Sequence, residues 1–249
     1  VARAGGNEEL GLRPLTARSV VLSVLLGAHP PELPARDLVR IGALFDISEP
    51  TLRVALTRMV AAGDLLRADA TYRLSERLAG RQRRQDAALT PDTLDWQGSW
   101  EIAAVTATGR SPADRAELRT ELTRLRLAEL REGLWLRPAN LRRTRPAERD
   151  GVLTWFHGEP DEDPVRLART LWQLEAWATR ATELHTHFAA TRDQAERFTL
   201  AAALVRHLAA DPILPEALLP DPWPAAELRA AYRGYQAELI ELRERAGGA

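Results

Sequence analysis

The chain is 249 residues long, 45% hydrophobic and 28% charged, the balance of an ordinary globular protein with length for two or three small domains. It contains no cysteine, which excludes disulfides, thiolate catalysis and cysteine-held zinc, and fits a reducing compartment. The formal charge of −1 excludes a polycation, so any nucleic-acid partner must be met by a local patch.

All the basic residues are arginine, and they are unevenly spread. Between Arg67 and Arg84 six arginines (67, 73, 77, 81, 83 and 84) face only Asp69 and Glu76. Val1–Leu12 has no apolar core of the signal-peptide kind, and no apolar run reaches membrane-spanning length, so the expected location is the cytoplasm, with no membrane partner.

In chain order, a first helix is expected from Thr16 to Leu26, with Thr16 as N-cap and Gly27 as stop. The cluster Pro30, Pro31, Pro34 ends that unit. A second helix follows over Ala35–Phe45, then the short turn Asp46-Ile47-Ser48, then a third helix over Glu49–Ala62, ended by Gly63. Leu65–Leu74 reads as a hairpin turning near Ala68–Thr71. A basic helix, Ser75–Ala88, leads to a linker at Thr90-Pro91.

From Trp96 the texture changes. Trp100-Glu-Ile-Ala-Ala-Val-Thr reads as a strand, followed by a long helix from Pro112 to about Arg131, and by strands at Gly133–Pro138 and Val152–His157. Strand, helix, strand, connection, strand is the pattern of a split βαβ domain. After the acidic loop Glu159–Pro164 the chain reads as helical over Val165–Thr191, Gln194–Ala210 and Ala225–Arg245. The fold class expected is a multidomain α+β protein: a winged helix-turn-helix over 1–89, a ferredoxin-like α+β domain over 90–163 and a helical C-terminal domain over 164–249.

The third helix carries the functional signal. Ser48-Glu49-Pro50 opens it with a serine in the N-cap position, an acid in the first turn and a proline where a missing N–H costs little. On a helical wheel Leu52, Ala55, Leu56 and Met59 form one buried stripe, while Pro50, Thr51, Arg53, Val54, Thr57 and Arg58 lie on the other side. This outer face offers hydroxyls and forked guanidinium groups, with no carboxylate to repel phosphate, and suits a major-groove helix, because arginine bonds guanine edges bidentately and threonine bonds phosphate or touches a thymine methyl. The preceding helix is joined by a turn of helix-turn-helix length, and the hairpin would be the wing. The DNA-contact set expected is Arg36, Ser48, Pro50, Thr51, Arg53, Thr57 and Arg58, with Arg67 and Arg73 at the wing. The competing reading is a plain helical core domain whose arginines and threonines are merely solvated.

The run Leu44-Phe-Asp-Ile-Ser-Glu-Pro-Thr-Leu-Arg-Val-Ala-Leu-Thr-Arg-Met-Val-Ala-Ala-Gly-Asp-Leu-Leu resembles the winged helix of the PaaX-like transcriptional regulators. The resemblance continues in Trp96-Gln-Gly-Ser-Trp100, in Glu132-Gly-Leu-Trp-Leu-Arg-Pro138 and in Asp211-Pro-Ile-Leu-Pro-Glu-Ala-Leu-Leu-Pro-Asp-Pro-Trp223-Pro. It implies a homodimeric repressor bound to double-stranded DNA, a middle domain similar to the Cas2 nucleases, and release by an acyl- or aryl-coenzyme A effector. An effector site is expected between the middle and C-terminal regions.

Other constellations carry less. His185 and His187 are two apart on a helix and point to different faces, so the histidines read as structural and no metal is expected. Glu159, Asp161, Glu162 and Asp163 lie among prolines and read as a solvated linker. Glu101–Thr108 runs into Gly109-Arg110 without the acid that a Cas2-type nuclease would place at that strand's end. Without lysine there is no P-loop, and neither G-x-G-x-x-G nor G-x-S-x-G occurs, so no enzyme and no cofactor is expected. An enzyme on nucleic acid or coenzyme A esters, or a protein-interaction adaptor, would use the winged helix only for docking. Trp96, Trp100, Trp135 and Trp155 are expected in the middle core; Trp172 and Trp177 face different ways. Arg142, Arg143 and Arg145 read as a solvated or DNA-facing loop, with a diphosphate grip as the alternative.

Overall fold

The computed structural model describes residues 12, 15–143 and 151–247. In chain order its elements are α1 (Ala17–Gly27), β1 (Glu32–Pro34), α2 (Ala35–Ala43), α3 (Glu49–Ala61), β2 (Leu65–Ala68), β3 (Thr71–Leu74) and α4 (Glu76–Leu89). Then come β4 (Trp100–Val105), α5 (Pro112–Arg124), β5 (Ala128–Arg131), β6 (Leu134–Pro138) and β7 (Leu153–Gly158). The chain closes with α6 (Pro164–Leu171), α7 (Leu174–Ala190), α8 (Gln194–Ala209), a 3-10 turn (Glu216–Leu218) and α9 (Ala225–Gly247). Among the described residues no helix is long and apolar enough to cross a membrane.

The chain divides into two compact units. The first takes residues up to Leu89, Arg180–Ala210 and everything from Pro224; the second takes Thr90–Thr179 and Asp211–Trp223. Residues 164–249, helical as the sequence suggests, are thus shared between the two units instead of closing on themselves.

In the first unit α1 starts at a reciprocal cap: the Thr16 hydroxyl accepts from the Ser19 amide at 3.1 Å, and the Thr16 amide donates to the Ser19 hydroxyl at 2.8 Å. Its other end is closed from a distance. Gln82 Nε2 on α4 donates to the carbonyls of Leu26 (3.0 Å) and Ala28 (2.7 Å), groups that a helix end leaves without partners. Val20, Val21 and Leu25 of α1, Leu38 of α2, Leu52, Leu56 and Met59 of α3, and Leu65, Leu74 and Leu78 beyond it are all buried. The α4 helix is tied to α9 through Gln85 Nε2, which donates to the Tyr232 hydroxyl at 3.1 Å, and through Arg229 Nε, which donates to the Ala88 carbonyl at 2.9 Å. The end of α2 reaches α8, where the rings of Phe45 and Phe198 lie 4.6 Å apart. Burial pushes the Tyr232 hydroxyl pKa up to about 12, with Asp86 adding to the rise and Gln85 opposing it.

The second unit is a four-stranded sheet in the order β5-β6-β4-β7, every neighbouring pair antiparallel, which is the strand order of a ferredoxin-like sheet. Alternation along β4 sends Trp100 and Ile102 to one face and Ala103 and Val105 to the other. The first face packs against Leu167 and Ala168 of α6, Leu174, Leu214 and Leu218; the second packs against Leu118 and Leu122 of α5. Trp96, Trp100, Trp135 and Trp155 all join these cores, as expected. Trp172 lies 6.5 Å from the Trp100 ring and Trp177 stacks 4.4 Å from Trp223, so the two rings of that helical region serve different contacts.

Two expectations of local structure are corrected, and one short strand is found that the sequence does not suggest. The helix beginning at Pro112 stops at Arg124; Arg126 takes φ +62°, and Ala128–Arg131, which has helix-forming residues, becomes a strand because β6 pairs with it across the Gly133 turn. The run Val165–Thr191 breaks at Trp172, whose backbone is extended. Glu32–Pro34 is a strand, pairing with β3 at Glu32↔Arg73 and Leu33↔Tyr72; a proline is tolerated there because the strand lies at the sheet edge.

One buried and one half-buried arginine, Arg137 and Arg143, occupy the second unit. Arg137 is fully buried, and its guanidinium donates to the carbonyls of Pro138 (3.0 Å) and Ile213 (3.2 Å) and to Asn140 Oδ1 (2.8 Å). Burial, and then the neighbouring Arg143, push its pKa down to about 9, so it still carries its charge at neutral pH. Arg143 pairs with buried Glu101, and Arg142 lies 3.4 Å from Asp92. The expectation of a solvated or DNA-facing loop is therefore corrected for Arg143, whose charge is satisfied inside the domain; Arg145 lies outside the described residues.

Candidate nucleic-acid interface

The α2–α3 pair is built on close contact. Gly42 is buried in α2 opposite Leu52, and an added Cβ there would lie 2.7 Å from Leu52 Cδ1. The helix α2 ends at Ala43, two residues earlier than the sequence suggests, because Asp46 adopts φ +57°. The Ile47 amide then turns back to the Gly42 carbonyl at 3.0 Å. This turn delivers Ser48 to the N-cap of α3 with extended backbone.

The expected division of α3 holds for its core. Leu52, Leu56 and Met59 are buried and Ala55 is half-buried, while Pro50, Thr51, Arg53, Val54, Thr57 and Arg58 are exposed. Two details differ. Ser48 makes no side-chain cap; its hydroxyl instead meets the Thr51 hydroxyl at 2.8 Å. The outer face also carries a carboxylate, because Glu49 takes Arg53 at 2.6 Å in an i, i+4 pair. Arg53 thus meets any ligand with some of its donors engaged. Thr57 donates its hydroxyl to the Arg53 carbonyl at 3.0 Å. The Arg58 side chain is exposed, and its guanidinium has no hydrogen-bond or ion-pair partner among the described residues.

Behind the motif, β2 and β3 form the wing, paired Leu65↔Leu74 to Ala68↔Thr71. Arg67 and Arg73 are both exposed on it. Arg67 Nε donates to the Asp69 carbonyl at 3.0 Å, and its guanidinium sits 5.8 Å from the Tyr72 ring centre, which fixes its reach. Arg36 lies on the first turn of α2, exposed, 3.7 Å from Asp37. The structure thus places Ser48, Pro50, Thr51, Arg53, Thr57 and Arg58 on one helix and Arg67 and Arg73 on the adjoining hairpin, with Arg36 on the bracing helix.

Sequence reasoning missed Asp64. It is buried between α3 and β2, and its carboxylate takes Arg18 of α1 at 2.5 Å and Arg77 of α4. Arg83 is likewise held by Glu76 at 2.6 Å. Part of the basic excess after the motif is therefore structural. A cleft of about 280 Å³ opens beside the motif in the same unit, lined by Leu44, Phe45, Arg192, Arg197, Tyr235 and Glu238. Within it Arg197 bonds Glu238 at 2.9 Å and lies 4.5 Å from the Phe188 ring centre. The described residues contain no group of three acids or histidines placed to hold a metal ion.

Comparison with known proteins agrees along the chain. Residues 16–78 match the family model described as PaaX-like protein, 93–151 that of the PaaX protein central Cas2-like domain, and 167–246 that of the PaaX-like protein C-terminal domain. Comparison with the curated proteins gives no match. Among solved structures, the uncharacterized protein Rv0674 from Mycobacterium tuberculosis is 48% identical, with a TM-score of 0.80 over 93% of this chain and 99% of its own. The chain belongs to the PaaX-like family of transcriptional regulators.

Proposed function

We propose that this chain is a sequence-specific, DNA-binding repressor of the cytoplasm that acts as a homodimer and lets go of its operator when a small effector binds. The observation that supports it best is α3: an amphipathic helix braced by α2, buried along Leu52, Leu56 and Met59, and offering Thr51, Arg53, Thr57 and Arg58 outward. In this reading residues 1–89 read DNA, 90–163 form the α+β domain and 164–249 the helical region. Two copies set their α3 helices in successive major grooves about one or two turns apart. Arg53 and Arg58 meet base edges, Ser48, Pro50 and Thr51 the helix start and its phosphates, Thr57 a base or phosphate, Arg36 the backbone, and Arg67 and Arg73 flanking phosphates.

An effector shifts this equilibrium only by binding the DNA-free arrangement more tightly. The cleft ending on Leu44 and Phe45 gives it direct access to the end of α2, and we place it there instead of between the middle and C-terminal regions. The class that the family resemblance suggests is an acyl- or aryl-coenzyme A thioester.

The test is a titration of the full chain into labelled DNA from its own upstream region, beside a shuffled control at physiological salt. Tight binding to the native fragment alone supports the reading. No binding to either fragment overturns it.

A further inference from the structure

The exposed face of α3 is apolar at its centre. At about 100° per residue, Pro50, Val54, Thr57 and Ala61 fall within an arc of about 60° opposite the buried stripe, and Arg53 and Arg58 stand about 40° beyond either edge. All four central residues are exposed, Val54 at 50% of its surface. Isolated exposed valines are ordinary on a protein surface. This one stands at the middle of the face expected to meet base edges, where the two guanidinium groups flank the centre without filling it.

The chemistry of the centre is set by two side chains. Val54 is β-branched, so in a helix it holds one dominant rotamer and presents its methyls without a large ordering cost. Thr57 turns its hydroxyl back to the Arg53 carbonyl at 3.0 Å, which leaves its γ-methyl as the free branch. Together they make a small apolar pad between two cationic arms. On the major-groove edge the one apolar group is the 5-methyl of thymine.

We propose that α3 reads a thymine through its 5-methyl group, with Val54 and the γ-methyl of Thr57 as the pad that receives it. The inference rests on the DNA-reading role proposed above and adds to it a base identity at the centre of each half-site. Arg53 and Arg58 then contact groups to either side of that thymine.

The experiment selects duplexes from a random pool with the full-length protein, then replaces each thymine of the selected half-site by deoxyuridine, which removes only the methyl. The wild-type protein is expected to lose about three- to fivefold in affinity at one thymine per half-site, the amount that one buried methyl group accounts for. V54A is expected to show a smaller deoxyuridine penalty at that position and V54A/T57S none, while the circular dichroism of both variants and their salt-dependent binding to shuffled DNA stay as in the wild type. A wild-type protein that binds its selected duplex specifically but tolerates deoxyuridine at every thymine overturns the proposal and leaves the DNA-reading role standing. An undiminished deoxyuridine penalty in V54A overturns the part assigned to Val54. A selection that returns no preferred duplex removes both readings together.

Discussion

Gly42 and Leu52 meet where the two helices of the motif cross, so closely that a Cβ on Gly42 would stand 2.7 Å from Leu52 Cδ1. Leu52 is fully buried, so its Cδ1 can move aside only by shifting against the side chains packed around it. In an exposed helix glycine-to-alanine stabilises by about 1 kcal/mol. Here overpacking outweighs that gain, and G42A is expected to destabilise by about 1–2 kcal/mol in denaturant unfolding. If α3 reads DNA as proposed, G42A should also weaken that binding, because the displaced partner is the helix that carries Arg53 and Arg58.

Much of this unit is legible in the sequence, and the reasons are local. Thr16, Gly27, the Ser48-Glu49-Pro50 start and Gly63 mark helix ends within a residue or two, because caps and left-handed glycines act on their own neighbourhood. The strands β1 and β5 are not legible. Each has only three or four residues and owes its conformation to pairing with β3 or β6. In the candidate site, periodicity alone separates Leu52 from Arg53. The Glu49–Arg53 pair is written in its i, i+4 spacing and outranks the reading of a face without carboxylates. Asp64 leaves no such signal, since its partners Arg18 and Arg77 are 46 and 13 residues away in the chain.

Glu49 should act as a brake on indiscriminate binding. Its carboxylate engages Arg53, and in the proposed complex it would repel phosphate. An exposed pair of this kind contributes at most about 1 kcal/mol, so E49Q should leave folding stability nearly unchanged. It should tighten binding to shuffled DNA by up to about fivefold and steepen the salt dependence by about one phosphate contact. Titrations at several salt concentrations check this; unchanged affinity and slope would place Glu49 away from DNA.

Asp64 joins three elements through one carboxylate. Arg18 and Arg77 are each more than half exposed, so their own charges are easily solvated, whereas the Asp64 side chain is 3% exposed and has no such recourse. D64A removes both charge-assisted bonds and is expected to cost about 2–3 kcal/mol. R18A and R77A should each cost less, because the remaining arginine still serves the carboxylate. Thermal unfolding of the three variants distinguishes this hub from two independent surface pairs, for which the costs would add.

Arg137 presents the opposite situation, a buried cation whose partners are largely neutral carbonyls. Its loss leaves the carbonyls of Pro138 and Ile213 and Asn140 Oδ1 without that donor. R137A is expected to destabilise by about 3–5 kcal/mol, and R137M, which restores volume but no donors, should recover only part of it. Full recovery by methionine would mean that Arg137 acts by packing alone. The readout is the near-ultraviolet signal of the tryptophans packed in that unit, followed through denaturant unfolding.

Tyr232 gives the fold a defined sensitivity to alkali. Its hydroxyl ionises near 10 in an unfolded chain, but burial and Asp86 raise that to about 12 in the folded protein. Below pH 10 both states keep the proton, so the native contact with Gln85 contributes in full. Between about pH 10 and 12 the unfolded chain loses its proton first, and the folded state becomes progressively less stable. Tyr235, buried beside it, is pushed in the same direction chiefly by burial and adds to the slope. The wild type should therefore lose stability steeply over this interval. Y232F should start from a lower value, because Gln85 Nε2 loses its acceptor, but decline less steeply. Equal slopes in the two proteins from pH 9 to 12 would show that Tyr232 is not the group responsible.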